Sequence, residues 1–414
     1  MIHIIDKHKC CGCEACVQAC PKQCISFIQD SEGFLYPKVE IKKCVECGIC
    51  EKVCPVINTR TQILPIQVWA AQNMDEEIRR QSSSGGIATM FAEKIIEEDG
   101  VVFGVIMNDK HEAVHTFADT KQQLTAFMGS KYTQSRTGNC FKHVMDFLKS
   151  GRKVLFIGTP CQIAGLKHFL RKDYENLYTI DFICHGVPSP GIFKWYLQEE
   201  IMKFTADRKG SKNSVSFSPI HSIPKGDVQL PEGLKVLDIH FRDKREGWKK
   251  YSFNLRLAEA SADGKQNTVS ISANVIKNIF LKGFCADLYL RPSCHQCPAR
   301  NYQSGSDITI ADFWGQENMF PEFDNDTGVS CVIIKTIKGQ GLFNALNKIR
   351  KCERTISDVV RYNPSLIISN KESYRRRKFW RLVGKYSFEE TVDKSINLSC
   401  PERIVSKIFG LIGL

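Results

Sequence analysis

The stretch KCCGCEACVQACPKQC, Lys9 to Cys24, sets six cysteines within sixteen residues and decides what the front of this chain is. Disulfides, zinc and iron–sulfur clusters all draw on dense cysteine, so spacing has to choose among them. The chain supplies that choice by repeating itself. Cys10, Cys13, Cys16, Cys20 and Pro21 recur at a constant offset as Cys44, Cys47, Cys50, Cys54 and Pro55. Cys11 and Cys24 have Val45 and Asn58 as counterparts, so the repeat singles out four cysteines and leaves two aside. Structural zinc takes four ligands, commonly as two separated pairs. Here three cysteines lie at steps of three and a fourth follows with proline behind it. That is the bacterial two-cluster run, whose fourth cysteine ligates the other cluster. The crossing assigns Cys10, Cys13, Cys16 and Cys54 to one 4Fe–4S cluster, and Cys44, Cys47, Cys50 and Cys20 to a second. Cys11 and Cys24 are expected to be bystanders.

The 414 residues leave room for several domains, and 43% hydrophobic with 25% charged residues is ordinary for a globular protein. MIHIIDKHKC lacks the apolar core of a secretory signal. No apolar run reaches the ~18 residues of a membrane span. With 19 cysteines, this points to a reducing cytoplasm where thiols stay free for metal, and to an oxygen-poor cell. A net charge of +12 suits nucleic acid, an acidic partner or an anionic membrane surface. None of the common nucleic-acid module signatures is present, so nucleic acid is not expected as a partner.

The expected architecture is multidomain, combining α+β and α/β parts. Residues 1–60 form the small two-cluster ferredoxin module. Residues 61–205 read as a flavin-binding α/β domain: SSSGGIATMFAEKIIEEDG, NCFKHVMDFLKSG and IAGLKHFLRK are helices between the strands VVFGVIM, KVLFIG and LYTIDFI. Residues 206–370 read as a mixed, strand-rich C-terminal domain. There SVSFSP, LKVLDIHFRD and KKYSFNLRLAEA alternate apolar and polar residues, NVIKNIFLKGF is a helix and SDITIADFWG a strand. Residues 371–414 form a basic amphipathic tail, KESYRRRKFWRLVGK followed by ERIVSKIFGLIGL. Packing on the protein or a partner subunit is favoured there over peripheral contact with an anionic membrane.

Clusters move single electrons whereas most metabolites take two, so a flavin is the expected converter. SSSGG (82–86) opens a helix and is either an anion cradle or a plain N-cap. In FIGTPCQIAGL (156–166) a strand ends at Gly158 and Thr159 to Gln162 turn into a helix, as in a phosphate loop or an ordinary strand-to-helix turn. FRDKREGWKKY (241–251) places Arg242 and Lys244 around Trp248, which suits a phosphorylated or polycarboxylate substrate, or a charged hairpin turn.

Seven stretches in order carry a more specific likeness: SSSGGIAT, GSKYTQS (129–135), GTPCQIAGL, CHGVPSP (184–190), FRDK with GW (241–248), LRPSCHQCPA (290–299) and DITIADFWG (307–315). From about residue 64 to 335 the chain resembles the beta subunits of coenzyme F-420 hydrogenases and dehydrogenases. The resemblance implies FAD, a third 4Fe–4S cluster near it, and hydride exchange with a deazaflavin or another organic acceptor. It also implies a redox partner protein: a ferredoxin, or a hydrogenase or dehydrogenase subunit. A plant branch of the family reduces a chlorophyll side chain, so fold and cofactors transfer better than substrate.

Carried over by position, Ser84, Gly85, Gly86, Lys131, Tyr132, Gly158, Thr159, Pro160, Cys161 and Gln162 are candidate flavin contacts. Lys131 would balance a pyrophosphate or a reduced flavin, and Cys161 would pack against the ring. The same pattern implies Cys184, Cys294 and Cys297 as ligands of the third cluster, with Cys285 as first choice for the fourth, ahead of His185 and His295. Cys140, Cys331, Cys352 and Cys400 are expected to be structural. Where the family strand reads Gly-Asp before its tryptophan, this chain has Ala311, Asp312 and Phe313. The function expected is an iron–sulfur flavoprotein oxidoreductase with no catalytic residue assigned. The alternative is a non-catalytic electron-transfer subunit relaying to a partner enzyme.

Overall fold

The two cysteine repeats fold alike in the computed structural model, which describes residues 1–208, 223–224, 226–260, 266–323, 325–399 and 401–402. Each repeat wraps its cysteine loop and runs into a short helix, Ala15–Ala19 in the first and Ile49–Lys52 in the second. The wrap needs left-handed backbone at two positions of each loop. Gly12 (φ 70°) and Glu14 (φ 63°) supply it first, then Glu46 (φ 51°) and Gly48 (φ 70°). Glycine and glutamate have traded places while the backbone path is kept. The left-handed region is costly for a residue with a Cβ, and Glu14 is held there by its carboxylate. It accepts from Arg136 Nε at 2.5 Å and from the Gly138 amide at 2.8 Å. Strands β1 (Ile25–Gln29) and β2 (Leu35–Val39) close the module as an antiparallel hairpin.

The strands that follow are β3 (Gln67–Asn73), β4 (Val101–Met107), β5 (Ala113–Ala118), β6 (Val154–Ile157) and β7 (Leu177–Phe182). After them come β8 (Leu234–Asp243), β9 (Ser252–Ala260), β10 (Gln266–Asn274), β11 (Ile308–Asp312), β12 (Ser330–Ile334) and β13 (Ile349–Arg354). Eight make one sheet in the order β13-β3-β12-β11-β7-β6-β4-β5. Its centre, β11-β7-β6-β4, is parallel and its flanks are antiparallel. Such a centre must be covered on both faces. Phe103, Val154 and Phe156 point to the helices Cys140–Lys149 and Pro160–Leu170, while Val102, Leu155 and Ile180 point to the helix Ile87–Glu97. The boundary expected at residue 206 therefore divides the chain but not this sheet, which takes β11, β12 and β13 from beyond it. The reason is visible in β12: SCVII is buried at every residue and needs the two-sided cover of the sheet interior.

The strand-rich excursion is the three-stranded antiparallel sheet β10-β9-β8. It packs with the helices Pro190–Arg208 and Ile279–Cys285 around Tyr196, Phe241, Phe253 and Phe280. SVSFSP lies outside the described residues. In the basic tail, the helices Tyr374–Leu382 and Phe388–Ile396 send Phe379, Phe388 and Val392 into this same core. Arg376 is buried and pairs with Glu32 of the ferredoxin module at 2.5 Å. The tail therefore packs on its own protein as far as it is described, and 403–414 lie outside the described residues. No helix among the described residues is long and apolar enough to cross a membrane.

The ferredoxin module sits on the helices Cys140–Lys149 and Pro160–Leu170. Gln18 Nε2 donates to Thr137 Oγ1 at 3.1 Å, and the Phe141 amide donates to Gln18 Oε1 at 2.9 Å. Gly165 lets the surfaces close, because a Cβ there would stand 2.9 Å from Cys13 Sγ.

Candidate iron–sulfur and cofactor site

Cys20 follows the first repeat in sequence but lines a cavity of about 360 Å³ together with Cys44, Cys47 and Cys50 of the second. Cys24 joins them, its sulfur 3.4 Å from that of Cys20. Cys10, Cys13, Cys16 and Cys54 form a second buried set. Burial pushes Cys16 up, reinforced by Cys10 and Cys54, and burial likewise pushes Cys54 up, with Cys10 adding to it. Thiols that raise one another in this way are suited to a metal, because the metal displaces their protons.

A larger cavity, about 630 Å³, opens between the module and the sheet. Five cysteines line it: Cys11, Cys161, Cys184, Cys294 and Cys297. Cys161 opens the helix after β6, Cys184 follows β7, and Cys294 and Cys297 belong to the 3-10 turn Pro292–Gln296 and its end. Cys285 does not line this cavity. Its helix turns Ile279, Phe280, Leu281 and Phe284 into the core, which leaves Cys285 exposed on the opposite side. Neither histidine lines the cavity either: His185 Nε2 lies 2.6 Å from Asp287, and His295 Nδ1 lies 2.8 Å from the Asn370 carbonyl. The thiols brought into the cavity with Cys184, Cys294 and Cys297 are Cys161, which the sequence reading set against the flavin, and Cys11, which it set aside. The far end of the cavity is polar, with Lys335 3.8 Å from Asp181 and bonded to Ser306 at 2.5 Å.

The loops after β3, β6, β7 and β11 share the carboxyl edge of the parallel strands, where open α/β sheets bind ligands. Ser84, Gly85 and Gly86 fold against β12 there. The Gly85 amide donates to Ser330 Oγ at 3.0 Å, and a Cβ on Gly85 would meet the Ala71 carbonyl at 2.5 Å. That glycine is thus required by strand packing. Gly86 (φ 80°) starts the helix. Beside this loop, Lys244 Nζ donates to the carbonyls of Arg79, Ser84 and Thr327 at 2.6, 3.0 and 2.7 Å. Burial, and then the charges of Arg242 and Arg79, pull Lys244 down to about 7. Arg242 pairs with Asp312 at 2.5 Å. Trp248 donates to the same carboxylate at 3.0 Å and stacks on Trp314 with centroids 4.6 Å apart. Trp248 is wholly buried and so acts by holding Asp312.

Nε and Nη2 of Arg242 and Nε of Arg79 are buried without a hydrogen-bond partner among the described residues. Two neighbouring guanidinium groups with spare donors, beside the Lys244 ammonium, fit a phosphate or carboxylate group. Arg79 escaped the sequence reading, although its helix Glu76–Gln81 leads directly into SSSGG.

The other flavin candidates lie apart from this recess or are already engaged. Lys131 Nζ caps a 3-10 turn, donating to the carbonyls of Ala126, Phe127 and Met128 at 3.1, 3.2 and 2.9 Å. Burial pulls its ammonium down to about 7. Tyr132 packs its ring 4.9 Å from that of Phe284. After Gly158, Thr159 and Gln162 cap the helix: the Thr159 amide donates to Gln162 Oε1 at 3.0 Å, and Gln162 Nε2 donates to Ser135 Oγ at 3.0 Å. Pro160 and Cys161 line the cysteine cavity.

Residues 68–142 match the model of the N-terminal domain of the coenzyme F420 hydrogenase/dehydrogenase beta subunit, and residues 151–211 and 221–357 match that of its C terminus. The chain belongs to this family. Residues 9–58 match the 4Fe-4S dicluster domain, so this family member carries a two-cluster ferredoxin module in front of an oxidoreductase subunit. Similar proteins include the coenzyme F420-dependent sulfite reductase of Methanocaldococcus jannaschii, 24% identical over 194 residues, covering 45% of this chain and 29% of that one. Pyruvate synthase subunit PorD of Methanothermobacter marburgensis is 38% identical over 52 residues, covering 13% and 54%. The chain thus spans less than two thirds of the length of these curated relatives. Among solved structures, a chain of the F420-reducing NiFe hydrogenase complex of Methanosarcina barkeri aligns with a TM-score of 0.39 and 15% identity, covering 80% of this chain and 90% of that one.

Proposed function

We propose that this beta-subunit relative is an iron–sulfur flavoprotein oxidoreductase that exchanges electrons with a redox partner protein and with a deazaflavin or another organic two-electron acceptor. The observation that carries the proposal is the cysteine cavity. Cys161, Cys184, Cys294 and Cys297 stand together beside the Cys10–Cys16 loop, at the carboxyl edge where a flavin belongs. Bound clusters supply one-electron chemistry, and a bound FAD supplies its conversion to hydride exchange.

The chain's own residues then have distinct tasks. Cys10, Cys13, Cys16 and Cys54 hold the inner ferredoxin cluster, and Cys20, Cys44, Cys47 and Cys50 the outer one. Cys161, Cys184, Cys294 and Cys297 hold the third. Cys47 is exposed, so a ferredoxin or a hydrogenase or dehydrogenase subunit has its approach on the second repeat. Arg79 and Arg242 bind the phosphate or carboxylate of FAD or substrate, with Asp312 and Trp248 aiming Arg242 and Lys244 holding the loops around them. The buried module contacts of Gln18, Glu14 and Gly165 exclude water between the two halves.

The test is the anaerobically purified holoprotein. Iron and sulfide for three clusters, flavin bands in the visible spectrum, and reduction of a deazaflavin, nicotinamide or quinone acceptor by reduced ferredoxin are expected. Clusters without flavin and without acceptor reduction would establish the relay-subunit reading instead. That second reading has one observation in its favour: Lys131 and Lys244, two lysines expected at the flavin or substrate, are both spent on backbone carbonyls. A colourless zinc protein would remove both.

A further inference from the structure

Arg291 is almost wholly buried, 1% exposed, between the ferredoxin module and the cysteine cavity. Its Nε donates to the Cys10 carbonyl at 2.6 Å, and its Nη2 to the Leu35 carbonyl at 3.0 Å and toward Cys10 Sγ at 3.5 Å. Nη1 donates to Gln134 Oε1 at 2.9 Å, and Gln134 in turn donates to the Cys11 carbonyl at 3.0 Å. The guanidinium also lies 4.3 Å over the Tyr36 ring. None of these partners is a carboxylate. The place is built for the group: a Cβ on Gly12 would stand 2.8 Å from Nη1, so the glycine of the ligand loop leaves the room it occupies.

An arginine cannot shed its proton to escape burial. A buried charge without a counter-charge costs several kcal/mol. The groups within electrostatic reach of Arg291, besides Tyr36, include Cys10, Cys11, Cys161 and Cys294. As thiols they are neutral, but as iron ligands Cys10 and Cys294 are thiolates. We propose that Arg291 is a positioning residue that supplies the shared counter-charge of the two cysteine sites, holding the Cys10 loop to the cavity and raising the potential of the cluster on that loop. A fixed cation favours the more negative, reduced cluster, and net charge and hydrogen bonds to sulfur set such potentials. The inference rests on the ligand assignment proposed above.

Potentiometric titration of the anaerobic holoprotein followed by EPR tests it. Arg291→Gln keeps a donor toward the Cys10 carbonyl and removes the charge. It is expected to lower the inner cluster's potential by about 59 mV or more, a tenfold shift in the reduced-to-oxidised ratio of a one-electron couple. Arg291→Lys is expected to restore most of the shift, and the outer cluster on Cys44, Cys47 and Cys50 to stay put. An unmoved inner potential in Arg291→Gln, or equal shifts in both ferredoxin clusters, overturns the proposal. If Arg291→Gln loses iron at this loop, Arg291→Lys decides. Iron retained in the lysine variant shows that the charge is what is needed, and iron lost in both overturns the proposal in favour of plain packing. Cys10→Ala, measured alongside, separates the two levels. Full iron there removes the ligand assignment itself, whereas iron loss there with an unmoved potential in Arg291→Gln removes only the role of Arg291.

Discussion

The ferredoxin module and the cysteine cavity use the same donor atom but receive it differently. In the module, three of each set of four cysteines come from one short loop, whose left-handed positions at Gly12 and Glu14, or Glu46 and Gly48, shape the wrap locally. In the cavity, no loop does the work. Cys161 and Cys184 are neighbours because β6 and β7 are neighbours, and Cys294 and Cys297 arrive because the chain pairs Pro188 with Leu290. The first site depends on loop geometry and the second on the sheet. Damage to a ligand should therefore read out locally in both, while damage to the scaffold should reach the cavity.

The largest effects test the membership of the cavity. Cys184→Ala and Cys161→Ala are each expected to remove about four irons of about twelve while the two ferredoxin signals persist. Cys285→Ala is expected to leave iron unchanged. Iron analysis with EPR on the three variants decides it: loss in Cys285→Ala and retention in Cys161→Ala would dismantle the assembly described. Within the module, Cys20→Ala should act on the cluster of Cys44, Cys47 and Cys50. If only the signal of the Cys10, Cys13 and Cys16 loop disappears, the crossing is wrong.

This difference in delivery also explains what could be read from the sequence. The two-cluster module was legible, because the repeat displays two sets of four cysteines in register. Three helices and the strands β4, β6 and β7 between 87 and 182 were legible because their periodicity is local, whereas β5 was not read. β12 and β13 were not legible, since SCVII looks like any short apolar run until the sheet needs a two-sided neighbour. That Cys161 lines the cavity and Cys285 does not was hidden for a related reason. Which face of the helix Ile279–Cys285 meets the core is settled by Phe280 and Phe284, not by the cysteine. Arg79, Arg291 and Asp312 gave no local signal, because each matters only through partners far away in sequence.

A scaffold prediction of intermediate size follows from Gly165. A valine there places a Cβ 2.9 Å from Cys13 Sγ, on backbone helical at both ends, so the module must move outward. Overpacking of this kind costs about 1–3 kcal/mol. Thermal unfolding of the Gly165→Val holoprotein should show that loss, and limited proteolysis should release the module more readily, while both ferredoxin clusters remain. Unchanged stability together with unchanged proteolysis would mean that the module is not seated on the helix Pro160–Leu170.

The smallest expected effect falls on the residue that belongs to both regions. In sequence Cys11 is part of the first ligand loop, yet in space it lines the cavity with Cys161. Its counterpart in the second repeat is Val45, so the loop wraps a cluster without a sulfur at this position. The ligand set proposed above is Cys161, Cys184, Cys294 and Cys297. Cys11→Ser is therefore expected to keep the iron of all three sites and to leave stability within about 1 kcal/mol, the scale of one exchanged hydrogen bond. Its value lies in what failure would say. If Cys11→Ser loses the cavity iron while Cys161→Ser keeps it, then the fourth thiol comes from the ferredoxin loop. The two regions would then share a ligand segment, with the module no longer just docked on the cavity but part of it. If both serine variants lose that iron, the cavity needs five sulfurs, one more than a cubane can use. Retention in Cys11→Ser with loss in Cys161→Ser keeps the two sites distinct: one made by a loop, the other by a sheet.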